Sequence, residues 1–233
     1  MQIEMHQHRF GYDLVKSNNE MSLLWDELVG VLEGITDQQI RQEFLNPPKW
    51  HPIKKTRAGK SAKRKSNRMS ISAAINNLIE DGLVAKGWID QSKIFQGKGY
   101  TSEKWLLDFS KRIPNPIANA TGFAVEVAFN HGEAICWNLM KPELAADKNN
   151  VETETDIGFG VGIYICATKK LKKEGAFDGA VGEYEKVLRY LEPMSSKLVC
   201  PLIVIGLKEL ETFYVKKQKH PSEDYNIGVI VEK

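Results

Sequence analysis

Apolar residues recur along this chain either at helical spacing or in short unbroken runs, and the succession of the two outlines its elements. Residues 1–16 carry no clear period and read as an irregular or extended lead-in. From Asn19 onward, Met21, Leu23, Leu24, Trp25, Leu28, Val29 and Leu32 form one helical face. Thr36 followed by Gln39 is a capping-box signature for a second helix to about Leu45, which Asn46-Pro47-Pro48 ends. Large apolar groups almost vanish between Lys49 and Arg68, which predicts a mobile loop. Ser70 is expected to cap a third helix with Ile71, Ala74, Ile75, Leu78 and Ile79 on one face, ending near Gly82 or Gly87.

The second half of the chain is richer in strand patterns. Gln96 to Tyr100 reads as a turn, Trp105 to Phe109 as a short strand, and Pro114 and Pro116 break the chain after it. Gly122 to His131 reads as a further strand. Glu133 to Ala146 predicts a helix with Ala134, Trp137, Met140 and Leu144 inward, although Pro142 threatens to kink it. Ile157 to Ala167 is a nearly continuous apolar run, suited to a central strand buried on both faces. Asp178 is expected to cap a helix burying Val181, Tyr184, Val187, Leu188 and Leu191. Val199 to Leu207 then forms a second buried strand, and Ile227 to Val231 an edge strand. No internal repeat interrupts this order. The expectation is one α/β domain spanning residues 1–233, a central mixed β-sheet flanked by helices.

Charge changes the picture through its distribution. The 233 residues carry a formal net charge of only +2. From Phe44 to Ile79 there is no acid, while that window holds nine positive charges, leaving the rest of the chain at −7. Such asymmetry points to a polyanionic partner or to a solvated loop. On the first reading, Lys54, Lys55, Arg57, Lys60, Lys63, Arg64, Lys65, Asn67 and Arg68 would track the phosphates of double-stranded DNA, with Ser61, Asn67 and Arg68 able to reach base edges. Cys136, Cys166 and Cys200 show no CxxC spacing and read as small core residues. No leader-peptide pattern and no apolar run of about 18 residues is evident. A cytoplasmic protein without membrane contact is expected.

Candidate chemistry begins at Glu126, an acid within the apolar run of the strand that starts at Gly122. A buried carboxylate needs a partner, because stripping its charge of water is expensive. Either a buried arginine or an oxygen-preferring cation such as Mg²⁺ would serve. Asp108 lies on the preceding strand, and acids on neighbouring strands can approach within a few ångströms. Two like charges that close repel unless a cation neutralises them. Asp90, with no buried strand around it, is a poorer candidate. His131 follows the acidic strand and either satisfies a turn or touches phosphate. Lys169, Lys170, Lys172 and Lys173 read as a solvated face. Segment 68–88 carries a rival interpretation, the recognition helix of a winged-helix regulator. That reading leaves the acidic strand unexplained.

Asp108-Phe-Ser-Lys-Arg112 followed by Val125-Glu-Val-Ala-Phe-Asn130 resembles the active-site strands of BglII/BstYI/BamHI-type restriction endonucleases, a branch of the PD-(D/E)XK nucleases. The likeness continues through Asp156–Ile165 and Pro201–Gly206 and spans roughly residues 65–210. It implies a restriction-endonuclease-like core and a type II enzyme acting as a homodimer. Such an enzyme uses Mg²⁺ and no organic cofactor to hydrolyse both strands of a short DNA palindrome. Carried over residue by residue, Asp108 and Glu126 match the two metal-ligating acids. The family places Lys, Glu or Gln two residues after the second acid, where this chain has Ala128, whose backbone carbonyl would remain available to a metal. Asn130, two residues further along, and Glu133 are the candidates to compensate as catalytic groups. A non-catalytic DNA-binding relative is the alternative that Ala128 raises.

Overall fold

The computed structural model describes residues 1–46, 69–95, 105–113, 122–146, 160–222 and 226–233. The basic segment 49–68, and with it every DNA-contacting candidate from Lys54 to Arg68, lies outside the described residues.

Six strands form the central sheet: β1 (Ile3–His8), β2 (Ile89–Lys93), β3 (Leu106–Arg112), β4 (Gly122–Ala128), β5 (Val161–Ala167) and β6 (Leu202–Leu207). Their order is β1-β6-β5-β4-β3-β2. The three central strands run parallel, while β1 pairs antiparallel to β6 and β3 antiparallel to β4, so the sheet is mixed. The predicted α/β class and its flanking helices are what the structure shows. Strands β4, β5 and β6 are buried along their whole length, which explains their unbroken apolar character.

Alternate residues of these strands feed two cores. Phe123, Val125, Val127, Ile163, Ile165, Ile203 and Ile205 face helices α1 (Gly11–Ser17), α2 (Asn19–Gly34), α3 (Asp37–Leu45) and α4 (Ser72–Ala85). Ala128, Tyr164, Cys166, Leu202 and Val204 face the opposite way, toward α5 (Ile135–Ala146) and α7 (Tyr184–Met194). Helix α6 (Lys169–Glu174) follows β5, and β7 (Phe213–Lys219) with β8 (Asn226–Glu232) makes a separate antiparallel ribbon.

Several expectations need correction. Of the irregular or extended lead-in expected over residues 1–16, the extended reading holds for β1, an edge strand, but not for the helix α1 that follows it. The polar pattern Ile-Glu-Met-His-Gln-His is compatible with a strand because only one edge is paired. Asp178 caps no helix. Its Oδ1 accepts from the Ala180 N–H in a tight turn, and α7 starts six residues later with Glu183 at its N-cap. Ser70 does not cap α4, whose N-cap is Ile71. The 169–173 lysines are exposed as expected except for the half-buried Lys172; they lie on α6, where Lys170 and Lys172 pair with Glu209 and Glu183. Ile227–Val231 belongs to β8, paired with β7 rather than with the main sheet. The capping box at Thr36 and Gln39 is formed as expected.

The largest correction concerns α5. Its sheet-facing positions are Ile135, Asn138, Leu139, Lys141, Pro142 and Ala145, whereas Ala134, Trp137, Met140 and Leu144 are only half-buried. Helix α5 lies close against the sheet at Gly162, where an added Cβ would meet Pro142 Cβ and Leu202 Cδ1, each at 2.8 Å. Glu143 completes the anchoring, accepting the N–H groups of Val199 and Cys200 ahead of β6. Gly162→Ala is therefore expected to push α5 outward and cost about 1–3 kcal/mol, as overpacking in dense cores does. Chemical denaturation of the two proteins would measure it, and an unchanged midpoint would contradict this account of the packing.

Candidate active site

The site grows from an irregularity between β2, β3 and β4. Strand β2 pairs regularly with β3, except that the pair Gln91–Asp108 drops out between Asp90↔Phe109 and Ser92↔Leu107. Gln91 there adopts φ 48°, a left-handed conformation that a side chain makes costly. The β3–β4 ladder likewise ends at Phe109↔Val125. Asp108 and Glu126 are the next residues beyond that point on the two strands. There the Asp108 carboxylate replaces a backbone acceptor, its Oδ2 taking the Val127 N–H at 2.7 Å. Such local breaks in pairing re-aim side chains. Here the break turns an acid into the space between two strands.

Glu126 is 2 % exposed. One oxygen, Oε1, accepts from Lys141 Nζ of α5 at 2.7 Å. The other, Oε2, is buried without any partner among the described residues. An orphaned buried carboxylate oxygen is costly and demands an explanation. Burial, and secondarily the nearby Asp108 charge, push the Glu126 pKa up to about 8 against the pull of Lys141 and of the Asp108 backbone N–H. Asp108 is also raised, chiefly by burial, with the Val127 N–H and Lys141 pulling the other way.

The buried arginine weighed as Glu126's partner is instead a lysine. Nothing in the sequence singled it out, since a lysine beside Pro142 looks like a surface residue. The same helix face supplies Asn138, 2 % exposed, whose Nδ2 donates to Asn130 Oδ1 at 3.0 Å and whose side chain lies near the Tyr164 hydroxyl. Tyr164 is the β5 neighbour of Glu126 in register. A polar seam thus runs under α5 through an otherwise apolar layer.

Of the expected site residues, the structure brings together Asp108 and Glu126. Asn130 lies past the end of β4, exposed, and hydrogen-bonds Asn138 rather than either acid. Glu133 is exposed in the 3-10 turn Gly132–Ala134. His131 is likewise exposed and forms an isolated bridge with Val181. Ala128 is 2 % exposed within the cluster of Ile135, Leu139, Tyr164 and Cys166, so the strand offers no room for a long side chain there. Asp90 sits exposed on β2. Helix α4, the rival's recognition helix, turns Ala74, Ile75, Ile79 and Leu83 into the core.

Among the described residues, no three His, Cys, Asp or Glu side chains converge as a metal cluster. Mg²⁺ does not require that, because it is held by one or two carboxylates with waters and phosphate oxygens. Two carboxylates, one with an unpartnered buried oxygen, match that donor set.

A mixed sheet with paired acids on adjoining strands, packed between helices, defines a nuclease core of the restriction-endonuclease type. Comparison with known proteins carries this to a particular family. The chain belongs to the family described as Restriction endonuclease BglII/BglIII, whose sequence profile matches residues 3–207. It is accordingly a type II site-specific endonuclease. Among solved structures, it is similar to the restriction endonuclease BglII complexed with a DNA 16-mer, with a TM-score of 0.59, 18 % identity and 100 % of each chain covered. At that identity the likeness speaks for the fold. No curated protein matches the sequence.

Proposed function

We propose that this endonuclease hydrolyses both strands of a short DNA palindrome as a homodimer, with Mg²⁺ held by Asp108 and Glu126. The observation that carries the metal assignment is the unpartnered buried Oε2 of Glu126 beside a second carboxylate. When bound there, Mg²⁺ supplies an activated water and neutralises charge developing on the scissile phosphate. Asp108 contributes a carboxylate held in place through the Val127 N–H. Glu126 contributes its free oxygen, while its other oxygen is fixed by Lys141. The Ala128 carbonyl remains a candidate third protein oxygen. Asn130 is better suited to orienting Asn138 than to acting on the phosphate. The basic segment 49–68 would supply phosphate contacts along the duplex, and a two-fold dimer would match a palindromic target.

Incubating mixed-sequence plasmid DNA with the protein and Mg²⁺ tests this. Discrete fragments with defined ends are expected with Mg²⁺ and none with EDTA. Smeared products, or cleavage indifferent to EDTA, would remove the metal-dependent, site-specific reading. Sedimentation of the free protein at micromolar concentration is expected to give twice the 26.3 kDa chain mass.

A further inference from the structure

We infer that Lys141, carried by α5, is the residue that grips the scissile phosphate. This rests on the proposed function for the identity of the anion. Lys141 is 9 % exposed, an unusual degree of burial for lysine. It donates to Glu126 Oε1 and to no other described residue, yet an ammonium carries three donors. Among the described residues, two of its N–H groups are therefore unspent beside an acid whose Oε2 is also unspent. Of the pair, the lysine side chain keeps 11 % of its surface exposed against 3 % for Glu126, so it is the one an incoming group meets first.

Among the described residues, Lys141 is the cation that acts on both acids. Ala128 on the same strand face is walled in by Ile135, Leu139 and Tyr164. Asn130 is engaged with Asn138. The helix side therefore provides what the strand does not. Lys141 follows Asn138 by three positions, so both project from one face of α5 onto the sheet. The close approach at Gly162 keeps that face near enough for the 2.7 Å pair to form. An ammonium with spare donors, tethered to a metal-site carboxylate, fits a non-bridging oxygen of the phosphate whose bridging bond is to be broken.

The test compares wild type with Lys141→Met and Lys141→Arg, by single-turnover cleavage in Mg²⁺ and by DNA binding against salt without divalent ions. Lys141→Met is expected to lower cleavage at least about a hundredfold and to flatten the slope of log K against log salt by about one, as loss of one phosphate contact does. Lys141→Arg is expected to restore the slope and part of the rate. Wild-type cleavage and an unchanged slope in folded Lys141→Met would overturn the proposal. So would reduced cleavage at an unchanged slope, which marks a merely structural role. Should Lys141→Met fail to fold, Glu126→Gln/Lys141→Met against Glu126→Gln alone gives the same slope comparison without leaving a buried carboxylate unpaired. If the wild type binds DNA but cuts none in Mg²⁺, the endonuclease mechanism fails while the slope still decides whether Lys141 meets phosphate.

Discussion

Glu126→Gln is expected to abolish cleavage, by a factor of about a thousand or more, while leaving a folded protein that binds DNA. The amide fills the same buried volume and still presents an oxygen to Lys141, so α5 keeps its seat. What it removes is the anionic oxygen that has no partner among the described residues. Lewis-acid stabilisation of a phosphoryl transition state amounts to several kcal/mol. At about 1.4 kcal/mol per tenfold in rate, losing its ligand accounts for the expected factor. Single-turnover digestion of plasmid, run beside a gel shift without divalent ions, separates the two properties. Cleavage at the wild-type rate by the glutamine variant would place the metal elsewhere.

The second large effect is a dependence of stability on pH that Mg²⁺ reverses. Glu126 has an ordinary pKa of 4.5 and is pushed up to about 8 in the fold by burial and by Asp108. A group raised on folding contributes stability that is complete below its unfolded pKa and is lost as pH rises through the folded one. The metal-free protein should therefore weaken between about pH 4.5 and pH 8, by an amount on the order of a few kcal/mol. For a chain of this size that corresponds to a fall in Tm of roughly 5–10 °C. A divalent cation needs Glu126 ionised, so it should stabilise most where the apo protein is weakest, near pH 8–9. Asp108→Asn removes the neighbouring charge and should flatten the profile. It keeps an oxygen for the Val127 N–H. Thermal melts from pH 5.5 to 9, with and without Mg²⁺, decide the matter. Profiles that are parallel in wild type and Asp108→Asn, and indifferent to Mg²⁺, would mean that these acids do not share a site.

The two acids were legible in the sequence because each violates its surroundings: Glu126 interrupts an apolar run, and Asp108 is bracketed by Leu107 and Phe109. The parallel core strands were legible for the same reason in reverse, since burial on both faces leaves no polar positions. Lys141 and Asn138 were not. The inward face of a helix is found by assuming that apolar residues point in, and that assumption selected Trp137, Met140 and Leu144. Helix α5 covers a polar site, so its functional face carries the residues the rule assigns to solvent. Strand β2 and the kink at Gln91 were also hidden, because Ile-Asp-Gln-Ser-Lys is mostly exposed and a missing ladder pair leaves no mark on composition.

The polar seam of α5 also limits where chain length can change. Lys141 reaches Glu126, Pro142 fits over Gly162, and Glu143 holds the chain ahead of β6, three contacts made by successive residues. A single residue inserted just before Asn138 would turn everything after it by about 100° and advance it by about 1.5 Å, misdirecting all three at once. Compensating for that would need coordinated changes on β4, β5 and the loop to β6. Helix α5 thus behaves as a cassette of fixed length: an engineer seeking new specificity can graft or extend the segments around it, but must move the helix whole.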